Sequence, residues 1–308
     1  MRDWLPLSMV STLPRSPGII SRRRFLTAGL CGAAGLVVYS GEVERHWIEV
    51  IERNVNLRSL PSAFDGMRIT QISDIHMDDF TEPYFLRDTI ERVNRTKPDA
   101  VMLTGDFVTS ESNPTKASTL RARDAAWHCA KLLASLECRS LYAILGNHDI
   151  DAGGQEITNA LASNGITVLR NTYLPIERAG SRIWLAGIDD PGSGHPDLEQ
   201  AIPARIRNVP NEPVVLLCHA PDYADQLLTH LAGQAVDLML SGHSHGGQIR
   251  LPLIGALVLP SLGRKYVEGN FQFGRMQLYV NRGIGTIGVP FRFDCPPEIT
   301  VHTLRAGA

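Results

Sequence analysis

From Trp47 onward apolar and polar positions alternate (Ile48, Val50, then Val55, Leu57), a period of two that predicts an opening strand, closed by the turn chemistry of Pro61 and Asp65-Gly66. Beyond it, short apolar runs end at Asp74, Asp106, Asn147, His219 and His243, with helical spacing in several of the gaps. Leu86, Ile90 and Val93 fall at i, i+4 and i+7 before Lys97-Pro98. Ile157, Ala160 and Leu161 precede Gly165, and Tyr223, Leu227 and Leu231 precede Gly233, glycines placed to end a helix. Strands alternating with helices predict an α/β fold with largely parallel strands. After Gln248 no helical spacing appears, and 276–280 and 299–304 read as further strands. Residues 41–308 are therefore expected to form one domain of two β-sheets packed face to face, with helices outside.

Residues 1–40 stand apart. Ser21-Arg22-Arg23-Arg24-Phe25-Leu26-Thr27 precedes an uncharged, glycine-rich run over 28–38. This resembles a twin-arginine signal, which implies export through the twin-arginine translocase to the periplasm or cell envelope. The run is shorter than the ~20 residues of a comfortable membrane span. No Ala-x-Ala cleavage site follows it, so a retained N-terminal membrane anchor stays open beside a cleaved signal. Of the five cysteines (31, 129, 138, 218, 295) Cys31 falls in the signal, and the other four match no zinc spacing and are expected as buried thiols.

Composition changes the picture in one respect. With 44% hydrophobic and 20% charged residues the chain has the makings of a globular core, which excludes disorder. The formal charge is −2, yet residues 1–40 hold five Arg and one acid, so the body from 41 onward is acidic. Such a body repels polyanions, and no nucleic-acid partner is expected.

Each of the five apolar runs finishes in a residue able to bind a hard or borderline cation. In an open α/β sheet the carboxyl ends of the strands share one edge, so the runs are expected to converge there. The donors are Asp74, His76, Asp106, Asn147, His219, His243 and His245: oxygen and imidazole, with no thiolate. Seven donors are too many for one tetrahedral ion, and two divalent ions absorb them. The mixture suits manganese, iron, zinc or cobalt better than calcium or copper(I).

Asp-x-His, Gly-Asp, Gly-Asn-His-Asp, a lone His and Gly-His-x-His, in that order over 74–245, resemble the calcineurin-like metallophosphoesterases. Gly246-Gly247-Gln248, Arg264-Lys265-Tyr266 and Asn281-Arg282-Gly283 further resemble a bacterial single-domain phosphodiesterase branch that includes UDP-diacylglucosamine pyrophosphatases. The resemblance implies a four-layer αββα sandwich. It implies one ion on Asp74, His76, Asp106 and His245, and the other on Asp106, Asn147, His219 and His243, with Asp106 bridging. It also implies in-line attack of an activated water on phosphorus, with His148 serving the leaving oxygen and Asp149 fixing the His148 ring.

A phosphodiester or pyrophosphate hydrolase is the reading this pattern favours, on a small phosphorylated or lipid-linked substrate. A phosphomonoesterase or protein phosphatase of the same fold is the alternative, ahead of a nuclease or a non-catalytic scaffold. Past His245 the charge reverses, with seven bases and three acids over 246–308, and Lys265 and Arg282 are the candidates for binding the phosphate group. The apolar stretch over 251–260 is read first as a loop packed on the core, and otherwise as a membrane-contacting patch. His46, His128, His195, His230 and His302 are expected to be ordinary hydrogen-bonded histidines, and Asp78, Asp79, Asp189 and Asp190 turn residues.

Overall fold

Ala100 and Met102 face one side of their strand and Val101 and Leu103 the other, and all four are buried. Burial on both faces is why such strands read as continuous apolar runs. The structure is a computed structural model and describes residues 21–77, 80–111, 113–207 and 209–307. Asp78 and Asp79, expected in a turn, and residues 1–20 lie outside them.

In chain order the elements begin with helix α1 (Arg22–Val38), β1 (Glu49–Leu57), β2 (Arg68–Ile72), α2 (Pro83–Arg95), β3 (Ala100–Leu103) and α3 (Lys116–Leu133). Next come β4 (Leu141–Ala143), α4 (Asn147–Ser163), β5 (Thr167–Val168), β6 (Thr172–Arg178), β7 (Ser181–Gly187) and α5 (Leu198–Ala201). Then follow β8 (Val214–Leu217), α6 (Ala224–Thr229), β9 (Val236–Ser241), β10 (Arg250–Leu251), β11 (Gly255–Ala256), β12 (Gly269–Phe273), β13 (Met276–Val280) and β14 (Glu298–Ala306).

Two six-stranded sheets result, ordered β1-β14-β2-β3-β4-β5 and β12-β13-β9-β8-β7-β6. The strands β2 to β5 run parallel, as do β13, β9, β8 and β7, while β14 lies antiparallel to β2 and β12 and β6 close the second sheet antiparallel. Between the sheets lies one apolar layer, with Ile69, Ala100 and Met102 from the first meeting Val215, Leu217, Leu238 and Leu240 from the second. Outside the first sheet α2, α3 and α4 cover Val101, Leu103 and Leu141; outside the second, α5 and α6 cover Leu216 and Met239. The four-layer sandwich is as expected.

Helix α2 buries Phe85, Leu86, Ile90 and Val93 in a single stripe, each such side chain contributing roughly 1.5–3 kcal/mol of transfer free energy. The pattern over Tyr223, Leu227 and Leu231 is only partly realised, because α6 stops at Thr229 and Leu231 is 72% exposed. By its internal contacts the chain divides after Tyr39. In the first unit α1 is capped by Ser21, whose Oγ accepts from Arg24 N–H, and no residue of α1 is buried. The second unit, from Ser40, holds all three apolar clusters.

Candidate metal centre

Strands β2, β3, β4, β8 and β9 end beside one another, and the residues just past their ends turn sharply. Five of the seven predicted donors, Asp74, His76, Asp106, His243 and His245, have left-handed backbones with φ between 47° and 70°. Non-glycine residues rarely adopt this conformation, and its concentration here marks a site held in place by its surroundings. Two glycines leave room for the carboxylates: a Cβ on Gly146 would overlap Asp106 Oδ1, and one on Gly242 would overlap Ser73 Oγ and Asp74 Oδ2.

The donors gather into two buried groups. Asp74, His76 and His245 form one and Asp106, His219 and His243 the other, with the candidate ligand atoms of each within 4.8 Å of one another. Nε2 of His76 and Nε2 of His245 face each other at 3.1 Å, and Asp74 Oδ1 lies 3.5 Å from the latter. Asp106 Oδ2 looks into both groups, 3.1 Å from His219 Nε2 and 3.6 Å from His76 Nε2. The opposite ring nitrogens are tied down: His76 Nδ1 to Thr109 Oγ1 at 3.0 Å, His219 Nδ1 to the Thr104 carbonyl at 2.7 Å and His243 Nε2 to the Ser261 carbonyl at 2.6 Å. Such bonds fix the ring and leave the other nitrogen for a cation.

These residues fit a pair of divalent ions. Asn147 Oδ1 is buried without a protein hydrogen-bond partner, a condition that costs free energy unless something else fills it. The electrostatics agree. Burial, with Asp106 adding to it, raises the Asp74 carboxyl to about 6, against the pull of His219. Burial also lowers His76 to about 3 and His245 well below the usual imidazole range, so both offer neutral lone pairs. Burial opposes ionisation of Asp106 too, but His219, His148 and His76 outweigh it and hold the carboxyl well below its ordinary range. Against its burial, Asp106 and Asp74 in turn raise His219 well above the usual imidazole range, so the acids draw positive charge into the site, which cations can supply in place of a proton.

His148 borders the centre, and its ring partner differs from the expectation. Its Nδ1 accepts from the Ser110 backbone N–H at 3.0 Å, beside Ser110 Oγ at 3.0 Å. The Ser110 carbonyl lies 3.2 Å from the same nitrogen, so three atoms of Ser110 hold that side of the ring. Asp149 instead accepts from the backbone N–H groups of Asp106, Phe107, Val108 and Gly146. It sits at the third position of α4, where a carboxylate reaches back to the preceding loop, and so it shapes the turn that carries Asp106. Burial and the neighbouring Asp106 charge push the Asp149 carboxyl up to about 8.

Lys265 and Arg282, the candidates for binding the phosphate group, are both engaged in ion pairs. The Lys265 ammonium sits on Asp225 at 2.7 Å, and the Arg282 guanidinium binds Glu298 at 2.7 Å and Glu49 at 2.8 Å. Acids near in space but distant in sequence have claimed both cations. The stretch over 251–260 departs from its core-packed reading, since Leu253, Ile254, Leu257 and Val258 are exposed.

The remaining expectations fare better. Asp190 makes its turn by accepting from Gly192 and Ser193 N–H, and Asp189 pairs with Arg170. Cys218 packs among the apolar residues outside the second sheet, and all five cysteines are free.

Two residues that the sequence does not flag shape the site. One is Ser110. The other is Arg292, fully buried, whose guanidinium donates to the carbonyls of Arg282, Gly283, Gly285 and Cys295. It thereby sets a strap over 282–295 whose Gly283 lies against Asp74.

Beside a cavity of about 450 Å³ lined by Ser110, Glu111, Pro114, Asn147, His148 and Asp151, two more border His148. One, about 410 Å³, joins Asp106, Asn147, His148, His243 and His245 to Ile249, Leu257, Val258, Pro260 and Val289. The other, about 660 Å³, is lined by His148, Thr109, Ser110, Glu111, Arg121 and His128, with Met77 and Phe80. His148, Ile287 and Gly288 border both.

The profile of the calcineurin-like phosphoesterase family matches residues 67–247. The uncharacterized metallophosphoesterase YkuE of Bacillus subtilis strain 168 is 36% identical over 297 residues, covering 93% of this chain and 98% of its own. Phosphodiesterase YaeI of Escherichia coli K12 is 31% identical over 292 residues, covering 93% of this chain and 100% of its own. Among solved structures, the NAD nucleotidase NadN of Haemophilus influenzae aligns with a TM-score of 0.48 at 16% identity, covering 71% of this chain and 50% of that one.

Proposed function

The chain belongs to the calcineurin-like phosphoesterase family and is a metallophosphoesterase, and on that premise we propose that it cleaves a phosphodiester or pyrophosphate bond bearing one apolar substituent. The observation that carries this reading is the pair of cavities meeting at His148. A phosphorus at the metal groups has room for one substituent on each side, and a monoester would leave one cavity idle. The cavity containing Leu257, Val258, Pro260 and Val289 favours an apolar group, which supports a lipid-linked substrate resembling UDP-diacylglucosamine. The phosphodiesterase named among its relatives supports the diester class.

In this reading Asp74, His76, Asp106 and His245 hold one divalent ion, and Asp106, Asn147, His219 and His243 the other. Such a pair supplies Lewis acidity and a water acidic enough to act as nucleophile near neutral pH. His148 delivers a proton toward the leaving oxygen. Ser110 holds the ring at its angle. The Asp106 carboxylate accepts from the His148 backbone N–H at 3.0 Å, which ties the turn of the proton donor to the acid that faces both groups.

The test is protein reconstituted with manganese, zinc, iron or cobalt and assayed in parallel on bis-para-nitrophenyl phosphate, para-nitrophenyl phosphate and a diacylated nucleotide-sugar pyrophosphate. Diester or pyrophosphate turnover above the monoester rate is expected. A preference for the monoester overturns the reading.

The segment from Ser21 to Thr27 supports delivery by the twin-arginine route to the periplasm or envelope. The residues Arg22–His46 are helical and, by length and composition, long and apolar enough to cross a bilayer. This is compatible with a retained anchor as well as with a signal.

A further inference from the structure

The turn between β10 and β11 is apolar where a soluble protein would place polar groups. Leu253 is 108% exposed, Ile254 71% and Val258 79%. The hairpin has a ladder of only two residue pairs, Arg250 with Ala256 and Leu251 with Gly255. Leu253 itself adopts φ of 68°, a left-handed conformation that leucine disfavours. Backbone strain is thus tolerated where an apolar side chain is presented to the outside.

The position of this hairpin matters as much as its composition. At its root Gly247 packs against Ala256, where a Cβ would clash, two residues after the donor His245. Gln248 Nε2 donates to the carbonyls of Ile287 and Val289, and Arg250 N–H to that of Phe293, which joins the hairpin to the strap. The same strap receives the start of the domain: Arg292 N–H donates to the Ser40 carbonyl at 3.0 Å, and Gly41 lies against Phe291. The apolar hairpin, the mouth of the apolar cavity and the point where the chain arrives from its membrane-competent segment therefore share one rim.

We propose that the tip of this hairpin, with Leu253 and Ile254 foremost, inserts into the interfacial layer of the bilayer to which residues 22–38 anchor the chain. The bilayer is favoured over a second copy or another protein because the covalent tether ends on the same rim. A domain tethered there meets lipid before it meets any partner in solution. The inference rests on reading residues 22–38 as an anchor and not on the substrate class. Insertion turns the apolar cavity toward the membrane.

The test uses the full chain reconstituted into phosphatidylcholine vesicles, with an environment-sensitive fluorophore at Leu253→Cys or, as control, at Ala179→Cys, both in a Cys31→Ser background. Ala179 lies in the turn between β6 and β7, at the strand ends remote from the metal groups. Lipid-borne nitroxides should remove most of the emission at 253 and little at 179. Equal quenching at the two sites, or shielding of the 253 label that grows with protein concentration in the absence of lipid, overturns the proposal. A Leu253→Asp, Ile254→Asp variant supplies a readout free of the label. It should turn over bis-para-nitrophenyl phosphate at the wild-type rate while its hairpin, protease-resistant on vesicles in the wild type, becomes cleavable. Identical protection in both proteins also overturns the proposal.

Discussion

The Asp149 carboxylate accepts a hydrogen bond from the backbone N–H of Asp106 at 2.8 Å, so one acid that touches no proposed ion positions the acid that faces both. With three further N–H groups on the same carboxylate, Asp149→Ala leaves four buried donors without their acceptor. Roughly 1–3 kcal/mol for each unsatisfied group predicts a loss of at least about 4 kcal/mol, read by urea denaturation. Metal content should fall with it. An Asp149→Ala protein of wild-type stability with two ions would refute the assignment.

His148 and Asp106 should separate in their effects. Asp106→Asn should strip metal from both groups, whereas His148→Ala should keep the metals and lower kcat by ~10² to 10⁴, the range for general acid catalysis. Metal analysis of the two variants beside steady-state kinetics decides this.

Ser110→Ala is expected to be milder, because the backbone N–H and carbonyl of residue 110 that meet His148 Nδ1 remain. A fall in kcat of about tenfold or less with KM unchanged is the signature of a ring that is less well held. Metal loss from this variant would show that Ser110 acts on the ligands instead.

Gly242→Ala places a methyl group on Ser73 and Asp74. The displaced Asp74 should weaken the ion held with His76 and His245 more than the other, so that metal titration resolves two unequal affinities. Loss of both ions together would mean that the strain spreads through the shared edge.

Chelation should lower the melting temperature, since two dications relieve a buried set of carboxylates and neutral imidazoles. Each site filled at a free ion concentration one hundred times its Kd adds ~2.7 kcal/mol to stability. Calorimetry with and without chelator reads the shift. An unchanged melting point would mean that these donors bind no ion.

Much of this arrangement is legible in the sequence because it obeys local rules. Asp74, Asp106, Asn147, His219 and His243 each end an apolar run, and strand periodicity brings such ends to one edge. Helix α3 is less visible because its buried face is mostly small, with Ala122, Ala126, Cys129 and Ala130 toward the core, a stripe that carries little hydrophobic contrast. Counting charge along the chain misplaces Lys265 and Arg282, because Asp225, Glu49 and Glu298 become their neighbours only on folding. Asp149 stands next to His148 in sequence, yet it turns back into the backbone of the loop before it. Adjacency in sequence is a poor guide to which group holds a ring.

Strand β14 lies between β1 and β2, pairing parallel with one and antiparallel with the other. The first sheet therefore closes only when the last residues of the chain are in place. On the ribosome, β2 must wait with an open edge until residues 298–306 have emerged, and the neighbouring turn that carries Asp74 waits with it. Removing residues 298–307 should leave β1 and β2 without a shared neighbour, and their open edges would pair with other molecules. The expected product is insoluble aggregate rather than a shortened enzyme, which makes β14 the strand on which the solubility of the whole first sheet depends.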